Sequence, residues 1–254
     1  MRPLLAAVVA VLVVPFAANA AGNPVVSAVK RTATAETSTL KIDVTTTIAG
    51  RPTTTMTGSG VQRGSSVKLT MRTKVAGETM RVDAVLLNER GAYVMYMRSP
   101  TFQQQLPEGK SWLRIDLSKQ ASSVGVDFSS LFDDAQVFAP LEKGLVSTKK
   151  IGRTQVAGTS TTQYRAIIDV QRAARLVPAY GKQVRAVEKA TGVRLARSPW
   201  DVWVAADGRI RRMRFATPAA ANGARGTTTQ SITFLAFDKP VSITAPPRAQ
   251  VVSP

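Results

Sequence analysis

Side chains able to do acid–base or nucleophilic chemistry are scarce in this sequence, and their spacing is poor. The acidic cluster of note is Asp133-Asp134 with Asp127 nearby, a composition that raises glycoside cleavage by paired carboxylates, or a divalent metal site. Adjacent residues on a helix project about 100° apart, so these two carboxylates do not converge on one atom. A place at the start of a helix, where a carboxylate meets the positive end of the helix dipole, suits one of them better. The chain has no histidine and no cysteine. It therefore lacks the usual general base near neutral pH, Ser-His-Asp triads, imidazole and thiolate metal sites, and cysteine nucleophiles. Gly58-Ser59-Gly60 matches neither a phosphate loop nor a nucleophile elbow. Any enzyme built here would work with carboxylates or lysine alone, so the expectation is a non-enzymatic protein without cofactor or metal.

The charge balance points outward. Lys and Arg number 34 against 16 Asp and Glu, a formal net charge of +18. Such a surface attracts polyanions, nucleic acid among them. The first twenty residues argue against that partner: Arg2, an unbroken apolar run over residues 4–14, and Ala18-Asn19-Ala20 as a small-x-small cleavage site fit a secretory signal. The run is interrupted by Pro15 and is short of the about 20 residues a membrane span needs. Residues 1–20 are thus expected to be a cleaved signal peptide and residues 21–254 a single exported domain, a monomer without a lipid anchor. Outside the cytoplasm the available polyanions are anionic phospholipid and phosphorylated glycolipid headgroups, so transient contact with an anionic membrane surface is expected in place of nucleic acid. Compositional bias explains the charge equally well, because the basic residues are scattered, with few runs beyond Lys149-Lys150 and Arg211-Arg212.

The elements that must position any site alternate in kind. Asn23-Pro24 caps a short helix bearing Val25, Val26, Val29 and Ala33 on one face. From Ser38 the period changes to two: Leu40, Ile42, Val44 and Ile48 alternate with polar residues, and further strands follow across turns at Gly50-Arg51-Pro52, Gly64-Ser65 and Gly77. Five strands to residue 97 and a sixth over residues 111–117, containing Trp112, make an antiparallel meander. Phe128, Leu131, Phe132, Ala135 and Phe138 then recur at helical spacing, ended by Pro140 and Gly144. Strands over residues 145–156 and 159–170 precede an amphipathic helix over residues 171–190. Its apolar side carries Ala173, Leu176, Tyr180, Val184 and Val187, its basic side Arg172, Arg175, Lys182, Arg185 and Lys189. Pro178 should kink or divide it, and Gly192 can close it. Strands over 200–205, 209–217 and 227–237, with an Asp207-Gly208 hairpin, lead to a short run at 241–244 and a proline-rich tail expected to fray.

The fold class is α+β, mostly β. A large antiparallel sheet with a few helices either packs its apolar face on them or curls and leaves a hollow. Met71, Met80, Met95 and Met97 are flexible enough to line an acyl-chain site, and serve equally as ordinary core residues. The basic amphipathic helix reads as an interfacial membrane helix, or as a surface helix with a solvated face, or as both when it forms a flap over a cavity.

The order of several local motifs resembles a known family: the LppX, LprA, LprF and LprG type of actinobacterial envelope lipoproteins, which share the LolA/LolB fold. The residues that carry the likeness are Tyr93-Val94, Gly109-Lys110-Ser111-Trp112 with Ile115-Asp116-Leu117, Val156-Ala157-Gly158 leading to Tyr164-Arg165, Asp201-Val202-Trp203 with the stretch from Asp207 to Arg212, and the run from Pro240 to Pro247. The resemblance implies a half-open antiparallel β-barrel with helices covering its concave face. It also implies non-enzymatic binding and transport of a lipid or glycolipid by its acyl chains. Inward candidates are Leu40, Ile42, Val44, Leu69, Met71, Val82, Tyr93, Met95, Trp112, Leu176, Tyr180 and Val184. Family members usually carry an acylated cysteine at the cleavage point, where this chain has Ala21. The alternative is an exported sensor or regulatory protein of the same fold whose hollow is filled by its own side chains.

Overall fold

The computed structural model describes residues 22–75, 77–89, 92–117, 134–221 and 223–252. The expected signal and its cleavage site, Asp127, Phe128, Leu131, Phe132 and Asp133 lie outside them.

The first helix, α1 (Pro24–Ala33), starts where its sequence says it should. Asn23 Oδ1 accepts from Val25 N–H at 2.9 Å and Pro24 occupies the first turn. The alternating Thr-, Val- and Ile-rich segments become β1 (Thr37–Ile48), β2 (Thr54–Arg63), β3 (Ser66–Val75), β4 (Glu78–Glu89), β5 (Ala92–Arg98) and β6 (Trp112–Asp116), with a short helix, α2 (Pro100–Gln103), before β6. The second half runs α3 (Asp134–Gly144), β7 (Leu145–Val156), β8 (Thr159–Asp169), α4 (Val170–Leu176), α5 (Pro178–Thr191), β9 (Arg197–Ala205), β10 (Ile210–Ala221), β11 (Ala224–Phe237) and β12 (Val251–Val252).

These strands form one sheet in the order β12-β6-β5-β4-β3-β2-β1-β11-β10-β9-β8-β7. Two meanders are joined where β1 pairs with β11, and every pairing but β12 with β6 is antiparallel. The sheet does not close: β12 and β7 are its edges, so the architecture is a half-open barrel. Glycine lets neighbouring strands approach closely as it curls. A Cβ on Gly60 would overlap the Lys68 carbonyl and lie 2.6 Å from Leu69 Cδ2, and one on Gly226 would lie 2.7 Å from Ile48 Cα.

The inner face is built in rows, because antiparallel partners share a face. Tyr164, Val202, Met213, Ile232, Ile42, Gly58, Met71 and Val82 are successive partners across eight strands. The main core gathers Val25, Ala28 and Val29 of α1 and Phe138 and Leu141 of α3 against Leu40, Leu69, Val202, Ile210, Met213 and Phe234 of the sheet. Side-chain bonds fix the helices to the strands. Asn23 Nδ2 donates to Thr148 Oγ1 at 2.9 Å, and Ile210 N–H donates to Thr32 Oγ1 at 2.8 Å.

The short run at 241–244 forms no strand and buries Ile243. Two sequence expectations are corrected. Pro140 lies inside α3, which runs on to Gly144. The tail is docked as far as Val252 and does not fray over those residues: Ser111 N–H donates to the Gln250 carbonyl at 2.9 Å, and Val251 and Val252 pair in parallel with Trp112 and Leu113.

Candidate functional site

Pro178 divides the amphipathic helix as its chemistry requires. Val177 is extended at φ −127° and ψ 92°, the backbone a residue before proline favours, so α4 ends and α5 starts as a separate helix. Gly181 then permits tight packing of α5 on α4, since a Cβ there would overlap the Ala174 carbonyl. Gly192 closes α5 in the left-handed conformation at φ 65°. The connector beyond it is tied down by Glu188, whose Oε1 accepts from Leu195 N–H at 2.7 Å and from Gln171 Nε2 at 2.8 Å.

The result is a cavity of about 450 Å³ between α5, the connector and the inner face of the sheet. Tyr180, Val184 and Val187 of α5 line one side, with Val193 and Leu195 of the connector. Trp200 of β9, Met213 and Phe215 of β10, and Ile232 of β11 line the other, and Pro140 of α3 and Val170 of α4 also contribute. Gln183, Arg194, Arg197, Ser198, Thr217 and Gln230 are its polar lining. Burial pushes the Tyr180 phenol up to about 12, so this wall stays uncharged at ordinary pH. A mainly apolar hollow of this size with a few polar groups suits a small organic ligand; such sites typically measure about 300–1,000 Å³. Among the described residues no three His, Cys, Asp or Glu side chains gather as metal ligands.

The sequence candidates divide between this cavity and the core. Tyr180 and Val184 line the cavity. Leu40 and Leu69 are buried in the main core, with Ile42, Tyr93 and Met95 packed against it. Val44, whose partner on β11 is the cavity residue Gln230, is half-buried on the inner face, as are Met71 and Val82. Two candidates fall elsewhere. Trp112 has the opposite parity to Leu113 and Ile115 and packs on the outer face with Val85, Val94, Tyr96 and Ile243, beneath the Arg98 guanidinium at 4.8 Å. Leu176, 55% exposed, stands at the free end of α4 and does not line the cavity. Nine of the twelve sequence candidates lie on the first meander. The sheet side of the cavity comes from Trp200, Met213, Phe215 and Ile232, whose i, i+2 alternation on β9, β10 and β11 was the available signal.

Arg172, Arg175, Lys182, Arg185 and Lys189 are all exposed on α4 and α5. None of them forms an ion pair with another described residue, whereas Arg165 pairs with Asp201 and Arg209 with Asp238 elsewhere on the surface.

No protein-family model matches the sequence, and neither does any curated protein. Solved structures do match. LprF from Mycobacterium bovis aligns over 88% of this chain and 95% of its own at 15% identity, with a TM-score of 0.53. The lipoprotein LppX from Mycobacterium tuberculosis aligns over 87% of this chain and 96% of its own at 12% identity and a TM-score of 0.44. The chain has the fold of LprF, here an antiparallel-dominated sheet left open as a half-barrel.

Proposed function

We propose that this protein is a non-enzymatic carrier that holds acyl chains of a lipid or glycolipid in the cavity between α5 and strands β9 to β11. The observation that carries the reading is the cavity itself: about 450 Å³, lined mainly by aliphatic and aromatic side chains, with basic residues at its margin. Each methylene taken from water into such a lining contributes about 0.8 kcal/mol, so affinity comes from chain length without any reactive group. The same volume counts against a sensor of this fold whose hollow is filled by its own side chains.

The setting we propose is the cell envelope, reached through the N-terminal signal, with release after Ala20. With alanine in place of an acylated cysteine, membrane contact falls to electrostatics. The exposed basic residues of α4 and α5 stand beside the cavity, so the surface that would meet anionic headgroups is also the cavity's cover. The reading is tested by titrating the mature protein with a fluorescent acyl probe whose emission rises in an apolar site. Saturable binding at one site, competed by unlabelled long-chain lipid, is expected; no saturable binding would remove the carrier function.

A further inference from the structure

Arg72 of β3 and Arg81 of β4 are direct antiparallel partners, and Lys74, two residues along β3, stands opposite Thr79. These residues lie on the outer face of the sheet, because the adjacent row through Gly58, Met71 and Val82 belongs to the inner face and side chains alternate along a strand. Directly opposed side chains have Cβ atoms about 4.5–5.5 Å apart, and like charges so placed repel. Arg72, Lys74 and Arg81 are all exposed.

The acids of this face do not relieve the repulsion. Asp83 Oδ1 accepts from Arg81 Nη2 at 3.0 Å and from Thr70 Oγ1 at 2.8 Å, and its Oδ2 accepts from Arg98 Nη2 at 2.8 Å. One carboxylate thus already serves two guanidiniums and a hydroxyl. Asp43, in the row of Arg72 but two strands away, is paired with Lys41 at 3.0 Å. Arg72 and Lys74 form no ion pair with another described residue.

The surroundings restrict what could neutralise them. Three rows cross from β1 to β4 here, starting at Lys41, Asp43 and Thr45, and every one of their side chains is charged or a hydroxyl. Such a surface has neither the aromatic platform on which single-stranded nucleic acid stacks nor the apolar side chains that enter a bilayer. Threonine hydroxyls both donate and accept, which suits a partner rich in hydroxyls. Thr55, Thr57 and Thr79 are the register neighbours of the cations.

We propose that the outer face of β1–β4 binds an anionic polysaccharide, its acid groups meeting Arg72, Lys74 and Arg81 and its hydroxyls bonding Thr55, Thr57 and Thr79. The bound anion removes the repulsion between the opposed arginines and gains charge-assisted hydrogen bonds from them. The site is on the opposite face from the cavity, so it stands independently of the carrier reading and an occupied cavity leaves it free.

The test titrates the mature protein by calorimetry with alginate, a polyuronate, and with uncharged dextran, and follows thermal melts in parallel. Alginate should bind and raise the melting temperature, and dextran should do neither. Arg72→Gln/Lys74→Gln should lose at least about tenfold in alginate affinity, whereas changing the five basic residues of α4 and α5 to Gln should alter it by less than about twofold, since they act from the other face through screened water. Without polymer, Arg72→Gln should melt no lower than wild type, because it relieves the repulsion. No binding of alginate overturns the proposal, as does an equal loss in the helix variant, which would mean that net charge alone is read. Single-stranded oligonucleotide or phosphatidylglycerol vesicles that bind at least as tightly as alginate, and lose that binding in Arg72→Gln/Lys74→Gln, also overturn it by assigning the face to another partner. Binding of the acyl probe should be unchanged in Arg72→Gln/Lys74→Gln, so failure here leaves the carrier function standing.

Discussion

Trp200 lies flat on Phe215, ring centroids 4.1 Å apart and planes within 10° of parallel, so the sheet side of the cavity is a rigid aromatic floor. Such a pair contributes about 0.5–1.5 kcal/mol beyond the area it buries. The opposite wall is helical and set by smaller side chains. Val187 is half-buried there and lines the same space. Val187→Trp should fill the hollow from the helix side and cut acyl-probe affinity at least tenfold with a small change in melting temperature. Fluorescence titration and a thermal melt check the two arms.

The curl of the sheet depends on where a side chain has room. Gly60→Ala forces a Cβ into the Lys68 carbonyl and Leu69, and should destabilise by about 1–3 kcal/mol, the usual cost of overpacking. Gly58, two residues earlier on the same face, is the control. Its added Cβ would meet Ile42 Cβ at 3.5 Å and Met71 Cγ at 3.6 Å, ordinary contacts. Gly58→Ala should therefore be neutral, or stabilise by about 0.5 kcal/mol through reduced chain entropy. Urea unfolding of the two variants separates them.

Acid sensitivity should be traceable to Asp83 on the outer face. Burial alone would raise its pKa, but hydrogen bonds from Arg98, Thr70 and Arg81, together with the Arg81 charge, outweigh it and hold the carboxyl below its ordinary 3.8. Arg98 Nη2 and Arg81 Nη2 stand 2.8 and 3.0 Å from its oxygens, and Thr70 Oγ1 donates at 2.8 Å. A depressed folded pKa means stability that is full above the unfolded value and lost as pH falls below 3.8 through the folded value. Asp83→Asn should be less stable than wild type at pH 7, and the gap should narrow below about pH 4. Denaturant midpoints at pH 7, 4 and 2.5 measure it.

The C-terminal segment should behave as part of the core. Ile243, 4% exposed, packs on Trp112, Tyr96, Val94 and Val85. Ile243→Ala should cost about 2–4 kcal/mol, as burying such a side chain and leaving a cavity imply, and it should red-shift Trp112 emission. Urea unfolding followed by fluorescence reports both.

Contact with membranes should follow charge. Neutralising Arg172, Arg175, Lys182, Arg185 and Lys189 together to Gln should abolish most binding to vesicles rich in phosphatidylglycerol, and wild-type binding should weaken between 50 and 300 mM salt, about a halving of the Debye length. Binding indifferent to salt would count against electrostatic contact. A co-sedimentation series measures it.

Much of this fold was legible because its strands alternate strictly. The period alone puts Leu40, Ile42 and Val44 on one face of β1 and Leu69 and Met71 on one face of β3, and the Asn23-Pro24 cap, the Pro178 break and the Gly192 stop are local chemistry that tertiary structure did not override. The site was less legible. Its floor comes from β9, β10 and β11, which meet the first meander only through the pairing of β1 with β11, a contact between residues nearly 200 positions apart in sequence. No local pattern reports such a pairing. Trp112 was misread for the related reason that a one-residue change of parity moves a side chain through the sheet. The tail was misread because proline-rich composition signals loss of helix and strand hydrogen bonds, yet one two-residue pairing and one buried isoleucine suffice to dock it.

The central claim, that the cavity carries lipid, is met most directly by native mass spectrometry of the mature protein purified without detergent from its own host. The carrier account predicts a population heavier than the bare chain by the mass of one acyl lipid, removed by organic extraction and restored by reloading, and missing from Val187→Trp. A spectrum with bare chain alone, from protein that cannot be loaded afterwards, contradicts it.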